Sequence, residues 1–92
     1  MREPLSCEAA RNLIRAILLQ GHRVAFSRHA LERMEERACT SLDATNVLRA
    51  GVVKSAELES GTWRYRVETY RMCVVVAFRP EQELVVVTVI RI

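Results

Sequence analysis

The chain has 92 residues, half of them apolar and 27% charged, with a formal charge of +3. That length supports one domain spanning residues 1–92 and no more, and the apolar content excludes a disordered chain. The longest apolar runs, residues 73–78 and 84–90, are too short to cross a bilayer as helices, so no membrane partner is expected.

Met1-Arg2-Glu3-Pro4 leads into a segment that alternates charge with apolar residues, unlike the unbroken hydrophobic stretch of a secretory signal. Ser6 is placed to cap a first helix, with Glu8 in its first turn facing the positive end of the dipole. Ala10, Leu13, Ile14, Ile17 and Leu18 recur at helical spacing on one side, Arg11, Asn12 and Arg15 lie opposite, and Gly21 ends the helix. Residues 24–26 form a short strand. Ser27 caps a second helix from Arg28 to about Ala38, with Ala30, Leu31, Met34 and Ala38 expected on its core face. Thr40 with Asp43 resembles a capping arrangement for a third helix, which turns Ala44, Val47 and Leu48 inward and stops at Gly51.

From Val52 onward the period changes to two. Residues 52–58 read as an edge strand followed by a turn at Ser60-Gly61. Trp63, Tyr65 and Val67 alternate with Arg64, Arg66 and Glu68, as in a strand with one wet face. After a turn near Thr69-Tyr70 come strands 72–78 and 84–92, separated by a turn over residues 79–83. Both strands are apolar on both faces and so belong in the middle of a sheet. The expected fold is α+β in the order α-β-α-α-β-β-β-β: helices packed on one face of a mainly antiparallel sheet of four to five strands.

Of the fourteen basic residues, all but Lys54 are arginine. Guanidinium groups grip phosphates or carboxylates through paired donors, which suits RNA or an acidic protein; codon usage in a GC-rich genome explains the same bias equally well. Three cysteines, Cys7, Cys39 and Cys73, are an odd number without C-x-x-C spacing. Neither a disulfide framework nor a bound metal or other cofactor is expected, and a reduced cytoplasm fits. Cys73, within a valine run, should be an inert buried thiol, while Cys39 at a helix junction should be exposed.

The sharpest local pattern is the second helix. His29, Arg33 and Arg37 stand at i, i+4 and i+8 and form a polar strip about 80° wide, which Glu36 joins. His29 falls in the first turn, where the dipole favours anions and a neutral imidazole. A neutral imidazole is what a general base needs, and neighbouring arginines can hold a phosphate. His29 is therefore the acid–base candidate, with Arg28, Arg33 and Arg37 on the same helix and Arg64, Arg66 and Arg71 on or beside the sheet as phosphate or RNA contacts. The same spacing also serves solvated Arg–Glu pairs worth ~0.3–0.5 kcal/mol each. Trp63, Tyr65 and Tyr70 could stack bases, although aromatic residues in strands more often fill a core.

Ser27-x-His29-Ala30-x-x-Arg33-Met34-x-x-Arg37, then Gly51, then Val85-Val86-Val87-Thr88-Val89, resembles a family of small bacterial proteins sharing the Ser-x-His-Ala-x-x-Arg signature, and that family resembles the RelE/ParE-like toxin superfamily. The resemblance spans about residues 24–92 and leaves the first helix outside. It implies helices against a curved antiparallel sheet, ribonuclease activity with His29 and Arg33 as catalytic residues and Arg37 as phosphate ligand or structural partner, and an antitoxin partner. With Lys54 the sole lysine, it also implies a histidine–arginine variant of the toxin mechanism. The expectation is a metal-independent endoribonuclease of a toxin–antitoxin system. The alternatives are a non-catalytic module that binds nucleic acid or protein through the arginine strip, and a structural or assembly domain that buries the second helix's strip against a partner or a second copy, with the edge strand at residues 52–58 able to pair between chains as a homodimer.

Overall fold

The computed structural model describes residues 2–80 and 83–92. Three helices, α1 (Cys7–Leu19), α2 (Arg28–Glu36) and α3 (Ser41–Ala50), combine with six strands: β1 (Val24–Phe26), β2 (Val52–Val53), β3 (Glu57–Glu59), β4 (Thr62–Glu68), β5 (Met72–Arg79) and β6 (Glu83–Arg91). The expected α+β class and element order hold, with one more strand than anticipated. Residues 52–58 are not one strand but two short ones, β2 and β3, both paired antiparallel with β4 along the same edge. The turn expected over residues 79–83 includes Glu81 and Gln82, which lie outside the described residues.

The sheet runs β1-β6-β5-β4-β2, with β3 beside β4. Strands β4, β5 and β6 form an antiparallel meander, and β1 pairs parallel to β6. The two apolar strands are central, as their composition requires. Alternation sorts the side chains. Tyr65, Val67, Val74, Val76, Val86 and Val89 enter one core with Ala10, Ile14 and Ile17 of α1 and Ala44, Val47 and Leu48 of α3. Gly51 lets α3 turn tightly into β2, because a Cβ there would lie 2.7 Å from the Val47 carbonyl oxygen and 2.8 Å from a Val67 methyl.

All three helix starts are capped as the sequence implies. Ser6 accepts from Ala9 N–H at 3.1 Å, Ser27 from Ala30 N–H at 3.0 Å, and Thr40 and Asp43 exchange two hydrogen bonds. The carboxylate of Asp43 is held below the usual range by the Thr40 backbone N–H and, secondarily, by the Thr40 hydroxyl.

Helix α2 departs from expectation at its end. It stops at Glu36, and Leu31 and Ala38 are exposed rather than core-facing. Ala38 takes φ 50°, with its N–H donating to Glu35 and the Cys39 N–H to Met34. This is the left-handed termination that α1 achieves with Gly21 at φ 72°. The reversal carries Cys39 inward, so it is buried instead of exposed, with its sulfur 3.6 Å from that of Met72. Burial pushes the Cys39 thiol pKa up and does the same at the fully enclosed Cys73.

Candidate functional site

Strand β1 ends at Phe26 and the chain turns directly into α2, which continues alongside β6. Two bonds fix the junction: Ser27 N–H donates to the Val86 carbonyl at 3.0 Å, and the Ser27 hydroxyl donates to the Val87 carbonyl at 2.8 Å. Val87 is where β6 bulges, since Val75 pairs with Thr88 but Val76 pairs with Val86. Ala30 and Met34 point from α2 into the core, and His29, about 100° round the helix from Ala30, is exposed beside that face in the first turn.

His29 lines a hollow of about 220 Å³ on the face of the sheet away from the helical core, together with Glu57, Glu59, Arg64, Arg66 and Thr88. Val75, Val87 and Ile90 supply its apolar lining. Register explains the gathering. Arg66 pairs with Val75 and Val75 with Thr88, which makes one row across three strands, while Glu57 stands opposite Arg64 on the hairpin. The glutamates escape a reading based on helix motifs. Their signal is the Ser60-Gly61 turn, whose two positive φ values of 52° and 80° are those of a two-residue hairpin turn. That turn dictates the register placing Glu57 across from Arg64.

Each arginine of the hollow is partly engaged. Arg64 Nη1 lies 3.3 Å from Glu59, and its Nε is buried without a partner. Arg66 Nε donates to Glu68 at 3.2 Å, and this bond raises the arginine's already high pKa further. A guanidinium carries five N–H donors, so both retain donors for an incoming anion. Among the described hydrogen bonds none involves His29, and its ring is exposed.

The rest of the helical strip is arranged differently. Arg33 Nη1 lies 2.9 Å from Glu36 and Arg37 Nη1 lies 3.6 Å from the same oxygen. Arg37 is the C-cap of α2, and neither residue lines the hollow. The structure thus brings His29 together with the sheet arginines, and leaves the two helix arginines sharing one glutamate. Arg33 Nε is, like that of Arg64, buried and unpartnered. Arg28 is exposed at the first position of α2, and no described ion pair includes it.

The aromatic residues do not form a stacking platform. Tyr65 is fully buried against Phe78, with ring centroids 5.1 Å apart, and Trp63 packs on the core. Tyr70 is exposed at the β4–β5 turn, under the guanidinium of Arg71. His22 follows α1 and lies 2.9 Å from the Gln20 side chain, away from the hollow. Among the described residues no helix is long and apolar enough to cross a membrane, and no group of three or more His, Cys, Asp or Glu side chains could hold a metal ion.

Comparisons with curated proteins and with solved structures each returned no match. One family model, described as "Domain of unknown function (DUF4258)", matches residues 26–91. The match starts at the last residue of β1, covers every residue of the hollow and leaves α1 outside. With well over half its length matched, the chain belongs to the DUF4258 family.

Proposed function

We propose that this chain is a toxin-like endoribonuclease that binds and cleaves RNA in the hollow beside the first turn of α2. The observation that carries the reading is that His29 shares one hollow with Arg64 and Arg66, whose guanidinium groups keep N–H donors beyond those engaged by Glu59 and Glu68. Arg64 and Arg66 hold the phosphate through donors not taken by Glu59 and Glu68, and stabilise charge as it develops. Arg33, one turn along α2 from His29, steers the strand toward the hollow.

His29, neutral at the start, takes the proton of the ribose 2′-hydroxyl, whose oxygen attacks phosphorus, and the imidazolium so formed returns that proton to the departing 5′-oxygen, so the products are a 2′,3′-cyclic phosphate and a 5′-hydroxyl. No step uses a metal. The setting is the cytoplasm, and a neutralising antitoxin belongs to the same reading. The test is incubation of the purified protein with a labelled RNA oligonucleotide in EDTA, with product ends identified by mass spectrometry. Cyclic-phosphate ends from the parent and none from His29→Ala support the proposal. Equal cleavage by both proteins ends it.

A second reading rests on the imidazole itself. Because no described hydrogen bond orients His29, the same hollow serves RNA binding without turnover. Salt-dependent binding of an uncleaved oligonucleotide, weakened in Arg64→Ala, distinguishes it.

A further inference from the structure

A second basic surface lies away from the hollow, on the helical side. Arg11, Arg15 and Leu19 fall on one exposed stripe of α1 at i, i+4 and i+8, and Leu18, expected on the side opposite the arginines, borders that stripe half-buried against the core. Two adjoining hollows follow that stripe. One, of about 430 Å³, runs from Cys7, Glu8, Arg11 and Arg15 across to Gly51 and the β2 valines; the other, of about 560 Å³, lies between Arg15, Leu18, Leu19 and Arg49 of α3. Arg15 lines both, so the two hollows adjoin as a groove along α1, a helix about 20 Å long, with the Arg15 side chain between them. Arg11, Arg15 and Arg49 are exposed and occur in no ion pair among the described residues. Leu19 is 88% exposed and Val52, at the sheet's edge, 61%.

We propose that this groove docks an acidic, amphipathic segment of a partner protein. Three guanidinium groups outside any described ion pair outnumber the one carboxylate of the lining, Glu8, and stand among bare leucine and valine, which calls for carboxylates and apolar side chains on one ligand. RNA supplies phosphates but gains nothing from Leu19, and the groove offers no aromatic platform for its bases. A flat bilayer surface cannot enter a groove. A second copy of this chain would set arginine against arginine across a two-fold axis. The groove is built largely by α1, outside the family-matched segment, and the proposal does not depend on cleavage in the hollow.

The experiment is a titration of the isotope-labelled protein, followed by amide NMR. The probe is a synthetic helical peptide about 16 residues long, with glutamates and leucines at helical spacing. Shifts confined to residues 11–19 and 49–52, and an affinity about tenfold weaker in Arg15→Glu and in Arg49→Glu, support the proposal. Both side chains are exposed, and unchanged circular dichroism checks that the variants remain folded. The proposal is overturned by an absence of shifts at about 1 mM peptide, or by equal binding of a glutamine-for-glutamate peptide. It is equally overturned if an RNA oligonucleotide, or vesicles rich in phosphatidylserine, produce the same shifts, or if Arg15→Glu dissociates a homodimer.

Discussion

The Ser27 hydroxyl donates to the Val87 carbonyl at 2.8 Å while accepting from the Ala30 N–H at 3.0 Å, so one side chain ties the start of α2 to the bulge of β6. This gives the Ser-x-His spacing a physical meaning. The serine satisfies a helix donor and a bulge carbonyl together, and two residues later the helix aims an imidazole over the sheet's open face. Ser27→Ala removes both bonds and should cost about 1–2 kcal/mol in urea unfolding. It should also reduce RNA cleavage with His29 still present. Full activity in a destabilised Ser27→Ala protein would show that this anchor does not position the site.

His29 itself is exposed and makes no described hydrogen bond, so His29→Ala should leave the thermal midpoint within a few degrees of the parent. Loss of proton transfer should slow cleavage by about 10²-fold or more. A large fall in the melting temperature would instead make His29 a structural residue.

Arg64 Nη1 lies 3.3 Å from Glu59, so under the proposed RNA-binding reading that carboxylate would compete with a phosphate for the guanidinium. Glu59→Gln should therefore tighten binding of a single-stranded RNA oligonucleotide, and Arg64→Ala should weaken it. Removing one phosphate contact should also flatten the dependence of log affinity on log salt by about 0.7. Fluorescence anisotropy at several salt concentrations reads both effects.

Ala38 holds a left-handed conformation at φ 50° in the position where α1 uses glycine. Because a Cβ costs roughly 1–2 kcal/mol there, Ala38→Gly should stabilise the domain by up to about 1 kcal/mol after the unfolded chain's added freedom is counted. Chemical denaturation measures the change, and a loss of stability would contradict the assigned conformation.

Burial pushes the Tyr65 hydroxyl up to about 12. It donates to Glu3 and accepts from the Leu5 N–H, each at 2.9 Å; the Leu5 bond opposes the rise and the Glu3 carboxylate adds to it. In the unfolded chain a tyrosine ionises near 10. The stabilisation from a raised pKa is thus complete below about 10 and is lost as pH climbs from there to about 12. Tyr65→Phe should lose about 1–2 kcal/mol at neutral pH through its broken bonds. Its stability should then fall less steeply than the parent's across that alkaline window. Parallel pH profiles would refute the linkage.

Local signals in the sequence determined the class of the fold, its helix starts and its central strands. Caps act within three residues, and a run of valines must be buried wherever it lies, so Ser6, Ser27, Thr40 and the apolar strands could be read without coordinates. The end of α2 was not legible, because Ala38 carries none of glycine's signature and takes its conformation from the bonds around it. The composition of the hollow was decided by tertiary structure. Helical spacing grouped His29 with Arg33 and Arg37, but Glu36 holds those two arginines, and the docking of α2 on β6 turns the imidazole toward a different strand. Glu57, Glu59, Arg64, Arg66 and Thr88 meet it because strand register brings together residues far apart in the chain. A periodicity calculated within one element carries no information about which element packs beside it.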